Sequence, residues 1–98
     1  MKTLIEELYS QAEMADKAAV RDAFFALRAA LSKGEVRAAE PDPSSPVGWR
    51  VNTWVKQGIL LGFRSGDNAD VSADHGKWPF YDKDTLPLKK PGLEAGVR

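Results

Sequence analysis

The chain has 98 residues, room for one small domain, and a domain of this size buries only ~60 to 65% of the surface its unfolded form exposes. Fourteen Lys and Arg balance fourteen Asp and Glu, so the long-range positive field that draws nucleic acid or an anionic membrane is missing. A content of 43% hydrophobic and 29% charged residues is globular, and the lack of cysteine excludes disulfides, thiol catalysis and thiolate metal sites.

The first segment places Leu4, Leu8 and Met14 near one stripe with Ile5 beside it, and Thr3 followed by Glu6 has capping-box spacing; a short amphipathic helix is predicted. Glu6, Glu7 and Glu13 interrupt this stretch where a signal peptide needs an uncharged core, and no segment approaches the ~20 apolar residues of a membrane span. A soluble, cytoplasmic protein is expected. From Asp16 to Lys33, Val20, Phe24, Leu27 and Leu31 recur at helical spacing, with Asp16 able to cap the start and Gly34 the end. The two helices are expected to pack as a hairpin.

Beyond Gly34 the period shortens. "EVRAAE" and "WRVN" read as two short strands, and "PDPSSPVG" between them, with three prolines and Gly48, reads as a loop; together they predict a β-hairpin. "NTWVKQGILLGFR" returns to helix, with Asn52 or Thr53 as cap and Trp54, Ile59, Leu61 and Phe63 among its apolar residues. Gly58 and Gly62 each cost about 1 kcal/mol relative to Ala inside a helix, which points to close packing at those positions or an early end. From Ser65 onward Pro79, Pro87 and Pro91 stop any long helix, while Trp78, Phe80 and Tyr81 are too large and apolar for a free tail; an ordered, extended strap lying over another surface is expected. The predicted fold is therefore α+β and mainly helical: a helical unit with a β-hairpin over residues 1–64, then an extended connecting segment over 65–98.

Catalytic templates are missing: there is no Gly-rich phosphate loop, no nucleophile elbow and no pair of metal-spaced histidines. His75, beside Asp74, reads as a surface-loop residue. Gly66 to Asp74 is similar to a calcium loop but lacks its sixth-position Gly and terminal Glu, so a solvated loop is expected. Lys83, Lys89, Lys90 and Arg98 form a locally basic group, either a solvated surface or a contact for phosphate or carboxylate. Phe24, Phe25, Trp49 and Trp54 are expected in the core.

The series "GEVRAAE", "GWRVNTWVKQGILLGFRSGDN" and "FYDK", in this order, resembles the N-terminal domain of the tetrahydrodipicolinate N-succinyltransferase family, over most of the chain from Leu27 onward. The resemblance implies an enzyme of lysine and diaminopimelate synthesis that is a homotrimer. It also implies that a left-handed parallel β-helix of hexapeptide repeats, which no part of this sequence contains, carries the active sites between subunits. The reaction implied is succinyl transfer from succinyl-CoA to the amine of the ring-opened dicarboxylate, with succinyl-CoA as co-substrate, no metal and no further cofactor. No catalytic residue then lies in this chain. One substrate-binding residue does: Arg98, preceded by Gly96 and by Val97 where the family has an aromatic residue, is implied to pair a substrate carboxylate. Arg64, in "GFR", is implied to be structural. The competing reading, from the residues alone, is a free-standing protein-interaction module that docks through the region of Trp49 and Trp54.

Overall fold

The computed structural model describes residues 1–98, and every side chain except that of Ala12. In chain order it contains α1 (Lys2–Gln11), a 3-10 turn (Ala12–Met14), α2 (Lys17–Lys33), β1 (Ala39–Pro41), β2 (Trp49–Val51), α3 (Thr53–Ser65), β3 (Asn68–Asp70), β4 (Tyr81–Lys83) and a second 3-10 turn (Leu93–Ala95).

Helix α1 begins two residues earlier than the capping-box spacing of Thr3 and Glu6 suggests. The Ile5 amide already donates to the Met1 carbonyl at 3.0 Å, so Thr3 lies inside the helix and cannot cap it. The buried stripe is Ile5 and Leu8; Leu4 is half exposed and Met14 is out in solvent. Helix α2 follows its sequence closely. The Asp16 carboxylate accepts from the Ala19 amide at 3.2 Å, and Gly34, at φ 75°, closes the far end in the left-handed conformation that a side chain disfavours. Val20, Ala23, Phe24, Leu27 and Ala30 form its buried face.

Helix α3 is the centre of the core. It packs extensively on both α2 and α1, while α1 and α2 meet each other far less, so the expected helical hairpin is bridged by the third helix. Gly58 and Gly62 explain how α3 comes so close. A Cβ on Gly58 would overlap the Leu27 side chain, and one on Gly62 would enter the Phe24 ring. The helical cost of the two glycines is thus offset by close contact between helix backbones and the apolar faces of α1 and α2. Val55 and Leu61 complete the buried cluster with Ile5, Leu8, Val20, Ala23 and Leu27.

Two separate antiparallel hairpins flank this helical unit. In the first, Ala39 pairs with Val51, Glu40 with Arg50 and Pro41 with Trp49. Asn52 occupies the N-cap position of α3 without making a side-chain cap; its amide group instead donates to the Arg37 carbonyl and to Glu40, both at 2.8 Å, tying this hairpin to the helix start. Trp49 is 54% exposed, so it is not a core residue as expected: a three-residue, two-stranded ribbon has no layer packed on its outer face. Trp54 and Phe25 are half-buried and only Phe24 of the four expected aromatics is fully enclosed.

Residues 65–98 also hold a second hairpin. β3 and β4 pair Asn68 with Lys83, Ala69 with Asp82 and Asp70 with Tyr81. From Pro87 to Arg98 the chain is exposed and, apart from the 3-10 turn at Leu93–Ala95, without regular structure, and Trp78, Phe80 and Tyr81 are themselves largely exposed.

Candidate functional site

The second hairpin meets the helices at two adjacent residues, Asp84 and Thr85. Arg21, on the exposed side of α2, donates from its two terminal nitrogens to the two carboxylate oxygens of Asp84, at 2.9 and 3.0 Å, and also to the Ser65 carbonyl at the end of α3. The Asp67 amide adds a third bond to the same carboxylate at 3.0 Å. The paired guanidinium, first, and the Asp67 amide hold the Asp84 carboxyl well below the usual carboxylate range, at about 2. One residue on, the Thr85 hydroxyl is completely buried and donates to the Gly62 carbonyl at 2.8 Å, while Arg28 donates to the Thr85 carbonyl at 2.6 Å. Phe25 lies beneath both arginines, 5.4 Å from Arg21 and 4.9 Å from Arg28, while its ring centroid stands 6.1 Å from that of Phe24 in the core. An exposed ion pair between Lys17 and Asp67 at 2.7 Å adds a contact at the rim.

This junction positions the chain and has no nucleophile with an adjacent base. It fixes the departure of residues 86–98 from the helical unit. Arg98 ends that segment, exposed, with its only hydrogen bond a long one of 3.4 Å to the Val97 carbonyl and no carboxylate partner among the described residues. Gly96, at φ 70°, closes the 3-10 turn that precedes it. Lys89 and Lys90 are exposed nearby in sequence and Lys83 is half-buried in β4, so the basic residues are strung along the segment and do not converge.

The remaining expected sites are placed as follows. His75 is exposed in a turn at φ 59°, and Asp74 beside it accepts from the Trp78 amide at 3.1 Å. Asp67, Asp70 and Asp74 turn to different partners, Lys17, the Ser72 amide and the Trp78 amide. Arg64 stacks over the Tyr9 ring at 5.1 Å, an intramolecular role. An open cleft of about 660 Å³ between the α1–α2 turn and the end of α3, lined by Glu13, Lys17, Leu61 and Arg64, was not foreseen. No sequence signal marks it, and both its cations are already engaged, Lys17 by Asp67 and Arg64 by Tyr9.

The comparison with known proteins bears on the family reading. Residues 1–65 match the family model described as tetrahydrodipicolinate N-succinyltransferase N-terminal. The chain belongs to this family. Curated relatives extend the similarity into the second hairpin and beyond. Each is a 2,3,4,5-tetrahydropyridine-2,6-dicarboxylate N-succinyltransferase. The one from Afipia carboxidovorans is 38% identical over 90 residues, covering 86% of this chain and 31% of the relative. That of Leptothrix cholodnii is 42% identical over 82 residues, covering 83% of this chain and 28% of the relative. The chain thus spans under a third of the length of the succinyltransferases it matches. In this chain the polar junction at Asp84 and Thr85 is a structural feature that the motif spacing did not point to. Its only sequence trace is the polar run "DKDT" placed after an aromatic pair.

Proposed function

We propose that this chain serves as the N-terminal part of a cytoplasmic, homotrimeric N-succinyltransferase of lysine and diaminopimelate synthesis, with the reacting groups supplied by the rest of the enzyme. The observation that carries this reading is the family match over residues 1–65 together with relatives of one printed activity across up to 86% of the chain. In the reaction, the amine of the ring-opened tetrahydrodipicolinate attacks the thioester carbonyl of succinyl-CoA. A C–N amide bond forms, the C–S bond breaks, and the CoA thiolate takes up the proton that the amine gives up.

What this chain contributes is scaffold and one carboxylate ligand. Arg98 suits that task because its planar guanidinium offers two parallel donors that match a carboxylate, and because it is exposed and unengaged by any acidic side chain among the described residues. The helical unit and the junction at Asp84 hold the segment that bears it.

A chimera tests the role of Arg98. The matching N-terminal part of the Leptothrix cholodnii relative is replaced by this chain, joined through Arg98 to the relative's remaining sequence. Arg98→Ala in that chimera is expected to raise KM for the dicarboxylate by roughly 10 to 100-fold, the loss expected for a charge-assisted bidentate pair, while KM for succinyl-CoA stays the same. Unchanged KM for the dicarboxylate would remove Arg98 from the substrate site.

A further inference from the structure

The chain exposes more surface than its mass requires. A compact monomer of 10.8 kDa exposes about 5,500 Å² and has a radius of gyration of about 13 Å. Here the accessible surface is 7408 Å² and the radius of gyration 16.1 Å. The excess, about 1,900 Å², is more than the about 800 Å² that each partner contributes to a standard protein interface.

Part of the exposed apolar surface lies in the last third of the chain. Trp78 is 81% exposed, Phe80 62% and Leu93 94%, and none of them touches the helical core cluster. Trp78, Phe80 and Leu88 line, with Val71 and Ala73, a shallow and mostly apolar groove of about 240 Å³. Polar bonds hold the aromatic residues outward: the Asp74 carboxylate accepts from the Trp78 amide, and the Ser72 hydroxyl accepts from the Phe80 amide at 3.0 Å. A fixed loop that presents a Trp and a Phe to solvent pays little ordering entropy on docking.

We infer that the groove of Trp78, Phe80 and Leu88 is the docking surface for the remaining, larger part of the succinyltransferase. This inference rests on the reading of the chain as the N-terminal part of that enzyme. Two observations favour this occupant. About two thirds of each matched relative lies outside the similarity, which supplies a partner of sufficient size. The groove also lies on the same segment as Arg98, so a joined partner meets it at high effective concentration. Other exposed large apolar residues, among them Val47, Trp49 and Val51 at the first hairpin, lie on elements away from this groove, and docking of a second copy is an outcome that the test below distinguishes. The balance of fourteen basic and fourteen acidic residues disfavours a nucleic acid.

Hydroxyl-radical footprinting with residue-resolved mass spectrometry tests this on the 98-residue chain and on the chimera defined above. The labelling of Trp78 and Phe80 is expected to fall roughly tenfold in the chimera, as for residues at an interface core, while Trp49 in the first hairpin stays labelled in both. Equal labelling of Trp78 in both proteins would overturn the inference. So would protection that appears in the 98-residue chain only as its concentration rises, which would assign the groove to a second copy. A second variant guards against misfolding of the chimera. Trp78→Glu with Phe80→Glu should leave Tm of the 98-residue chain unchanged, since both side chains are exposed, and lower Tm of the chimera; an unchanged chimera Tm would contradict the docking role. An active chimera with Trp78 still labelled refutes this surface alone, whereas an inactive chimera with Trp78 protected refutes the assigned activity and leaves the surface standing.

Discussion

Gly62 and Asp84 show how single residues set this structure. At Gly62 a Cβ would enter the Phe24 ring, which is 2% exposed and has nowhere to move. Gly62→Ala is therefore expected to destabilise the chain by about 1 to 3 kcal/mol, the usual cost of overpacking, and so is Gly58→Ala, whose added methyl meets the fully buried Leu27 side chain. Urea unfolding of the two variants checks this; a more stable Gly62→Ala would show that the helices can separate without cost. At Asp84 the Arg21 guanidinium and the Asp67 amide lower the folded carboxyl from its ordinary 3.8 to about 2. A depressed folded value means that the bond with Arg21 contributes stability above the unfolded value, and that this contribution is lost as pH falls from about 4 towards 2. Asp84→Asn should lower stability at neutral pH and flatten the acid limb between about pH 4 and 2. Parallel acid melts of the variant and the parent would contradict the assignment.

Between elements, the junction of the second hairpin with the helices is polar where the helix contacts are apolar. The Thr85 hydroxyl, fully buried on the Gly62 carbonyl, is the one side-chain bond there that solvent does not screen. Thr85→Val keeps the shape, removes the donor and should cost about 1 to 3 kcal/mol at this contact. Hydrogen exchange is expected to localise the effect, with faster exchange at Asn68–Asp70 and Tyr81–Lys83 and no change at the α2 amides around Phe24; uniform acceleration would mean that hairpin and helices open as one unit. The same contrast explains what could be read from the sequence. Helix α2 was legible because Val20, Phe24 and Leu27 repeat at helical spacing between an Asp cap and a Gly stop, all local signals. β3 was illegible because Asn68-Ala69-Asp70 is a poor strand sequence; it pairs with β4 because Arg21, Asp67 and Asp84 converge from three distant stretches of chain. Thr3 misled because α1 starts before it, whereas Asn52 holds the expected N-cap position but turns its side chain to the Arg37 carbonyl and Glu40, partners fixed by tertiary contacts. Of the site, Arg98 was reached only through the family resemblance, since nothing in its local sequence separates it from a solvated terminal cation.

As a whole molecule the chain is a three-helix core with a well-fixed but outward-facing last third. Principal extents of 50 × 40 × 18 Å describe a flat, spread shape that leaves apolar side chains uncovered, consistent with a part that works against a larger partner. The account places positioning and one carboxylate contact in this chain and bond making elsewhere. CoA release from succinyl-CoA in the presence of tetrahydrodipicolinate tests that division most directly, measured on the 98-residue chain and on the chimera that joins it to the Leptothrix cholodnii relative. The account predicts steady turnover by the chimera and none above the uncatalysed rate by the chain alone; turnover by the 98-residue chain, or a folded chimera that releases no CoA, would contradict it.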